Sequence, residues 1–148
     1  MRHSEEYPEL TLENQLCFPL YACARAVTGK YKPFLDKLDL TYTQYLTMMV
    51  LWEHEEITSK EIGKELYLDS GTLTPLLKKL EIKGYVHRLR STDDERNLMV
   101  RITEKGMALR SEAREIPYKV GACLSLSAVE AQDLHKLLYK LIENTHNI

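Results

Sequence analysis

Apolar residues return at three- and four-residue spacing along much of this chain. Leu12, Leu16, Leu20, Ala24 and Val27 trace one helical face and predict a helix over residues 12–30, with Thr11 as its cap. Pro19 interrupts that pattern, because an interior proline loses a backbone bond and clashes one turn back. The expectation is a kink just after Cys17 or a helix that starts late. A short helix is expected over Pro33–Leu38. Another runs from Thr43 to about Glu55, with Tyr45, Met48, Met49 and Trp52 on one side.

The next elements carry end signals. Thr58 and Glu61 have the spacing of a capping box, which opens a short helix reaching about Leu66. Asp69 and Ser70 are cap residues for the following helix, and Gly84 is a fitting stop. Pro75 falls in its first turns, where the cost is smaller. The period then changes from helical to alternating over residues 85–91 and, less cleanly, 97–103. The polar tip TDDER (92–96) lies between, so a β-hairpin is expected. A helix from Glu104 to Ile116 should be ended by Pro117. Ser127 and Glu130 form a second capping box before a last helix striped by Leu134, Leu137, Leu138, Leu141 and Ile142.

Two short helices followed by a hairpin is the order of a winged helix-turn-helix, in which the second helix enters the major groove. The fold class expected is therefore mainly α with a small β-hairpin wing. The second helix opens with Ser70, Gly71, Thr72 and Thr74, side chains small enough to approach bases and phosphates. Charge sharpens this. Residues 76–101 hold seven Lys/Arg against four acids, a net +3 that leaves −5 for the rest of a chain of net charge −2. Charge alone fits a solvated surface as well as a phosphate-binding patch. Its coincidence with the reading helix and hairpin favours DNA. The amphipathic ends are then best read as dimerisation segments, because a two-fold sets two reading heads on half-sites ~34 Å apart.

Length and composition bound the rest. A chain of 148 residues, 44% apolar and 28% charged, suits one domain with a real core. No charge-poor run is long enough to cross a bilayer, and MRHSEEYPEL is too polar for a secretory signal, so a cytoplasmic protein is expected. Cys17, Cys23 and Cys123 are too few and too scattered for a disulfide framework. Read from the residues alone, Cys17 is either a small inert core residue or a reactive thiol.

The segments "LDSGTLTPLLKKLE" (68–81) and "DERNLMVRITEKG" (94–106) resemble the recognition helix and wing of the MarR family of dimeric winged-helix regulators. "LENQLCFPLYACARAVTGKYKPFLDKLDLTYTQYL" (12–46) resembles its OhrR branch, the organic hydroperoxide resistance regulators. Related thiol-based global and virulence regulators share much of the pattern. The resemblance implies one MarR-like domain over 1–148, with 11–42 and 104–148 as dimerisation helices and 43–103 as the winged-helix core. It implies a homodimeric repressor of pseudo-palindromic double-stranded DNA that lets go when its cysteine is oxidised by an organic hydroperoxide. Cys17 matches the reactive cysteine. Tyr31 and Tyr42 match two tyrosines of the partner subunit that bond its sulfur, and Tyr21 matches a further nearby one. Asp94 and Arg96 match a wing pair that places an arginine in the minor groove. Pro19 departs from the pattern, which has an apolar residue there. Cys123 stands near where a two-cysteine branch keeps its resolving thiol; in the other branch a low-molecular-weight thiol caps the sulfur.

On that reading the DNA-binding residues are Ser70, Gly71, Thr72, Thr74, Pro75, Lys78, Lys79, Arg88, Arg90, Asp94 and Arg96, with Lys78 and Lys79 better suited to phosphates than to bases. No cofactor, membrane or metal is expected, and no enzymatic activity. Four alternatives stand beside it, the last a DNA-free interaction module, against which the wing arginine argues. The first is a MarR-type regulator of a small ligand. The second is a metal sensor, poorly served by the scattered His3, His54, His87, His135 and His146; only His54 has acids beside it, Glu53 and Glu55. The third is a thiol peroxidase, which needs a resolving thiol and a reductant to turn over.

Overall fold

The computed structural model describes residues 7–90 and 98–146. The order is two 3-10 turns (Pro8–Leu10, Leu12–Asn14), α1 (Cys17–Leu35), a 3-10 turn (Asp36–Leu38), α2 (Tyr42–His54), β1 (Glu56–Thr58), α3 (Ser59–Leu66), α4 (Ser70–Ile82), β2 (Val86–Arg90), β3 (Leu98–Ile102), α5 (Glu104–Ala113), α6 (Ile116–Cys123) and α7 (Ala128–His146). The chain divides into two compact units, Met1–Ile116 and Pro117–Ile148.

The proline problem in the first helix is solved by a late start. α1 begins at Cys17, so Pro19 is its third residue, where a backbone N–H would have no intrahelical partner anyway. Thr11 does not cap α1 as expected; its hydroxyl donates to the Pro8 carbonyl at 2.8 Å within the preceding turn. Nor is there a separate helix over 33–38. α1 runs through Pro33 to Leu35, and a single 3-10 turn follows.

α2 is the centre of the first unit. Gln44, Tyr45, Thr47, Met48, Val50, Leu51 and Trp52 are buried along it. A helix wetted on so little of its surface has neighbours on most sides, here α1, α3, α4, α5, β1 and β3. Met49, expected beside Tyr45 and Trp52, is instead 44% exposed. Thr41 and Gln44 cap α2 reciprocally, and Thr58 and Glu61 do the same for α3. α4 buries Leu73, Leu76, Leu77 and Leu80, an i, i+3, i+4, i+7 spacing that makes one apolar face. Each such leucine contributes roughly 1.5–3 kcal/mol on leaving water.

Gly84 turns the chain out of α4 at φ 77°, a left-handed conformation that favours glycine. The antiparallel sheet has the order β1-β3-β2. β2 and β3 are the two sides of the expected hairpin; its tip, with Asp94 and Arg96, lies outside the described residues. β1 is an addition: only three residues long, it carries no readable alternation, yet Ile57 pairs with Val100 and closes the core. The helix expected to run to Ile116 stops at Ala113, and Pro117 does not end it. Pro117 sits instead in the first turn of α6, where a proline is tolerated. In the second unit the capping box at Ser127 and Glu130 forms as expected. Leu134, Leu137 and Leu141 of α7 are 46%, 63% and 40% exposed, an apolar stripe without cover in a single chain.

One contact fixes α5 against α2. The Trp52 indole donates to the Gly106 carbonyl at 3.0 Å in the interior. A side chain at Gly106 would collide with the Tyr85 carbonyl oxygen and lie 3.0 Å from Ile102 Cγ1. Gly106→Ala is therefore expected to cost about 2–3 kcal/mol despite alanine's better helix propensity. Urea unfolding measures it; a loss below ~0.5 kcal/mol would show that the α5 start is free to shift.

Candidate functional site

Two groups of residues are placed by this fold, one on the reading head and one on α1 and α2. On the reading head, α3 and α4 form the helix-turn-helix. Asp69 precedes α4 and accepts from Thr72 N at 2.8 Å and from the Thr72 hydroxyl at 3.1 Å. Those two bonds hold its carboxyl below the usual carboxylate range. With the leucine face buried, Ser70, Gly71, Thr72, Thr74, Pro75, Lys78 and Lys79 all fall on the exposed face of α4. One helix thus presents every candidate that the sequence assigned to it, with small groups at its N-terminal end and the lysines further along.

The cations of the hairpin divide differently. Arg90, at the end of β2, is exposed. Arg88 is half-buried and engaged: its Nε and Nη2 each lie 2.8 Å from Glu81 Oε2, and its backbone N–H donates to Glu81 Oε1 at 2.9 Å. β2 lies at the edge of the sheet, where backbone N–H groups that face away from β3 need partners from outside it. Glu81 supplies one from the recognition helix and holds the guanidinium with the same carboxylate. In the sequence Glu81 was only a counter-charge inside a basic stretch. Arg101, counted in the same stretch, pairs with Glu56 across β1 and β3.

The second group centres on Cys17, the first residue of α1. It is exposed, as are Leu16, Phe18 and Leu20 around it. Tyr21 lies one turn on, exposed, with the Arg25 guanidinium carbon 5.6 Å from its ring centre. Tyr31 and Tyr42 meet at 4.9 Å between ring centres, and Tyr45 stacks behind them at 5.8 and 6.4 Å. Burial first, then the neighbouring Tyr31, raises the Tyr42 phenol above its usual 10.0. Tyr42 is therefore a protonated donor throughout the neutral range.

Within one chain these tyrosines are not at the sulfur. Cys17 and Tyr31 share α1, and 14 helical residues separate them by about 21 Å along its axis. Cys23 is exposed and, six residues from Cys17, lies about 120° round the helix. Cys123 ends α6, exposed, with its thiol directed to the Lys119 carbonyl at 3.3 Å. Between α1 and the start of α2 runs an open groove of about 460 Å³, lined by Arg25, Lys32, Leu35 and Tyr42 among others. Among the described residues no group of three His, Cys, Asp or Glu is placed to hold a metal.

Comparison with known proteins gives a consistent picture. Residues 30–113 match the family model described as transcriptional regulator SarA/Rot. The organic hydroperoxide resistance transcriptional regulator of Bacillus subtilis is 49% identical over 144 residues, which is 95% of this chain and 96% of that one. The regulator SarZ of Staphylococcus haemolyticus is 44% identical over 133 residues, 90% of each chain. Among solved structures, reduced AbfR bound to DNA superposes with a TM-score of 0.80 at 32% identity, covering 99% of this chain and 98% of that one. AbfR, from Staphylococcus epidermidis, has also been solved in a disulfide form, with a TM-score of 0.67 at 34% identity over 95% and 99% of the two chains.

Two predictions follow from the reading head. Removing one exposed α4 cation, Lys79→Ala, should weaken binding to all duplex sequences alike and lower the slope of log K against log salt by about 1. Fluorescence anisotropy at several salt concentrations measures this; an unchanged slope would take Lys79 off the phosphates. Glu81 predicts a pH effect. Bonds from Arg88 hold its carboxyl below the usual 4.5, so its contribution is present above that value and disappears as pH falls through the lower folded-state value. Glu81→Gln should be less stable than the parent at pH 7, with the difference shrinking in acid. Equal urea midpoints at pH 7 would contradict the clamp.

Proposed function

The chain belongs to the SarA/Rot family of MarR-like winged-helix transcriptional regulators, and from that premise we propose that it is a homodimeric repressor released from its operator by oxidation of Cys17. It is a DNA-binding regulator and not an enzyme. The signal proposed is an organic hydroperoxide, supported by the B. subtilis relative at 49% identity and by the apolar Leu16, Phe18 and Leu20 around the thiol. Global or virulence control, as a SarZ-like regulator, is the narrower alternative on the gene side. Among the described residues no helix is long and apolar enough to cross a membrane, and we place the protein in the cytoplasm, where thiols are kept reduced.

The observation that carries the reading is the separation of Cys17 from Tyr31 and Tyr42. The pair is tightly packed, and Tyr42 is a protonated donor, yet α1 itself holds the sulfur about 21 Å away. A second copy running antiparallel brings one protomer's Cys17 to its partner's pair. The division of labour proposed is residues 43–103 for reading DNA and 11–42 with 104–148 for pairing. The exposed stripe on α7 supplies apolar surface for this. On the DNA side we assign contacts to Ser70, Gly71, Thr72, Thr74, Pro75, Lys78, Lys79 and Arg90, and, beyond the described residues, to Arg96 aimed by Asp94.

The chemistry is short. The Cys17 thiolate attacks the terminal oxygen of the hydroperoxide and the O–O bond breaks. Sulfur keeps that oxygen as a sulfenic acid, and the alkoxide leaves and takes up a proton as the alcohol. Phenol donors at the sulfur stabilise its negative charge before attack. The sulfenic acid then condenses with a second thiol, expelling water. We assign that thiol to Cys123 of the partner, near the start of the last helix, since a relative of the same fold is known in a disulfide form. A low-molecular-weight thiol is the other route. A second reading, a regulator of a small ligand, is favoured by the groove lined by Arg25 and Lys32.

The experiments use a duplex selected from a random pool by the reduced protein. One equivalent of cumene hydroperoxide should release the parent, while Cys17→Ser binds as tightly and stays bound. Release of Cys17→Ser by its inducer would hand the function to the groove. Replacing both Tyr31 and Tyr42 by Phe should slow Cys17 oxidation and leave reduced-state DNA binding intact; an unchanged alkylation rate at Cys17 across pH would reject their role. After the same oxidation, a non-reducing gel should show a covalent dimer that Cys123→Ser abolishes. A monomer band, with release only when a small thiol is added, would assign Cys123 to packing.

A further inference from the structure

A polar junction lies between the tyrosine pair and the reading face. Lys83 directly follows α4. Its ammonium donates to Gln44 Oε1 at 3.1 Å and to the Asp39 carbonyl, and it lies 3.2 Å from Asp39 Oδ1. Three acceptors take up the three N–H groups of a lysine, whose side chain is only 24% exposed. This cation of the basic stretch is therefore committed inside the protein. The same corner is tied twice more: the Tyr85 hydroxyl donates to the Leu38 carbonyl at 3.1 Å, and Lys105 Nζ donates to the Lys83 carbonyl at 2.7 Å.

The acceptor Gln44 Oε1 has a second task. It also receives the Thr41 N–H at 3.1 Å, and the Gln44 N–H returns to the Thr41 hydroxyl at 3.3 Å. That reciprocal cap surrounds Tyr42, the first residue of α2. A displacement of Tyr42 is thus a displacement of the capping box, and the capping box is where Lys83 is held. At the other end of the lever, α4 has 13 residues, so a 10° tilt pivoting at Lys83 moves its N-terminal end by about 3 Å. That is enough to take Ser70 and Thr72 out of hydrogen-bond reach of DNA.

We propose that Lys83 is the positioning residue that transmits the state of the Tyr31–Tyr42 pair to the recognition helix. Its ammonium ties the C-terminal end of α4 to the turn that begins α2. The proposal rests on Cys17 oxidation being the signal. With its ammonium committed to Gln44 and Asp39, Lys83 acts through them.

The test measures affinity of the full-length protein for the selected duplex before and after one equivalent of cumene hydroperoxide, with sulfenic acid trapped by dimedone in parallel. The quantity read is the ratio of the two affinities. Lys83→Met should reduce that ratio at least about 5-fold relative to the parent, the scale of ordinary coupling between sites, while Cys17 labels at the parental rate. Lys83→Arg, which keeps the donors, should restore it. Lys79→Met, an exposed control, should lower both affinities by one factor and leave the ratio unchanged; a merely structural Lys83 would behave the same way. A Lys83→Met ratio equal to that of the parent overturns the proposal. If Lys83→Met fails to fold, Lys83→Gln takes its place with the same expectations. A parent that is not labelled, or is labelled and stays on DNA, overturns the oxidation reading itself and the proposal with it. That outcome is distinct from a parent that releases beside a Lys83→Met protein that releases equally.

Discussion

The burial of α2 is the constraint on which the reading head depends. A 13-residue helix with Tyr45, Thr47, Met48, Val50, Leu51 and Trp52 all buried has to be enclosed, and the elements that enclose it are those that read and sense. α4 turns four leucines inward and so turns its serine, threonines and lysines outward. The short β1 adds Ile57 to the core and gives β3 a second neighbour. α5 closes the far side through the Trp52–Gly106 bond. The polar face of the recognition helix is exposed because its apolar face has one place to go.

Electrostatics then divides a basic stretch that looks uniform in the sequence. Lys78, Lys79 and Arg90 remain exposed to water, where a cation can act on phosphates at long range. Arg88, Lys83 and Arg101 are taken up by Glu81, by Asp39 with Gln44, and by Glu56. Arg88 and Lys83, half-buried and each held by several bonds, contribute orientation, whereas Arg101 is an exposed pair across the sheet. The same stretch therefore holds both exposed cations and cations that brace the frame, with Glu81 spanning helix and edge strand.

Cys17 and the Tyr31–Tyr42 pair obey a different limit, the length of a helix. The rise of 1.5 Å per residue sets Cys17 and Tyr31 far apart in one chain. A site that needs both therefore needs two chains, and the apolar surface left exposed around Cys17 and along α7 fits that requirement. Tyr42 stands where this site and the reading head share backbone. Its ring belongs to the tyrosine cluster, and its peptide belongs to the capping box of the central helix.

What the sequence determined by itself is what short-range chemistry encodes. The capping boxes at Thr58 and Ser127, the Asp69 cap and the two strands of the hairpin are local patterns, and each formed as read. The exposed face of α4 follows from its packing, because burying Leu73, Leu76, Leu77 and Leu80 fixes where Ser70 to Lys79 point. The prolines were legible as exceptions and not as positions: Pro19 and Pro117 both fall in the first turns of α1 and α6, where the missing N–H has no intrahelical partner to lose. Met49 was misplaced because periodicity cannot tell which flank of an apolar helix is wet. β1 was invisible because three residues carry no period, and its strand state comes from pairing with β3. Tertiary structure alone decided the partners of the charges. Lys83 meets Gln44 and Asp39 across 39 and 44 residues of sequence, and no local pattern specifies which acceptor a lysine finds when the chain folds back on itself.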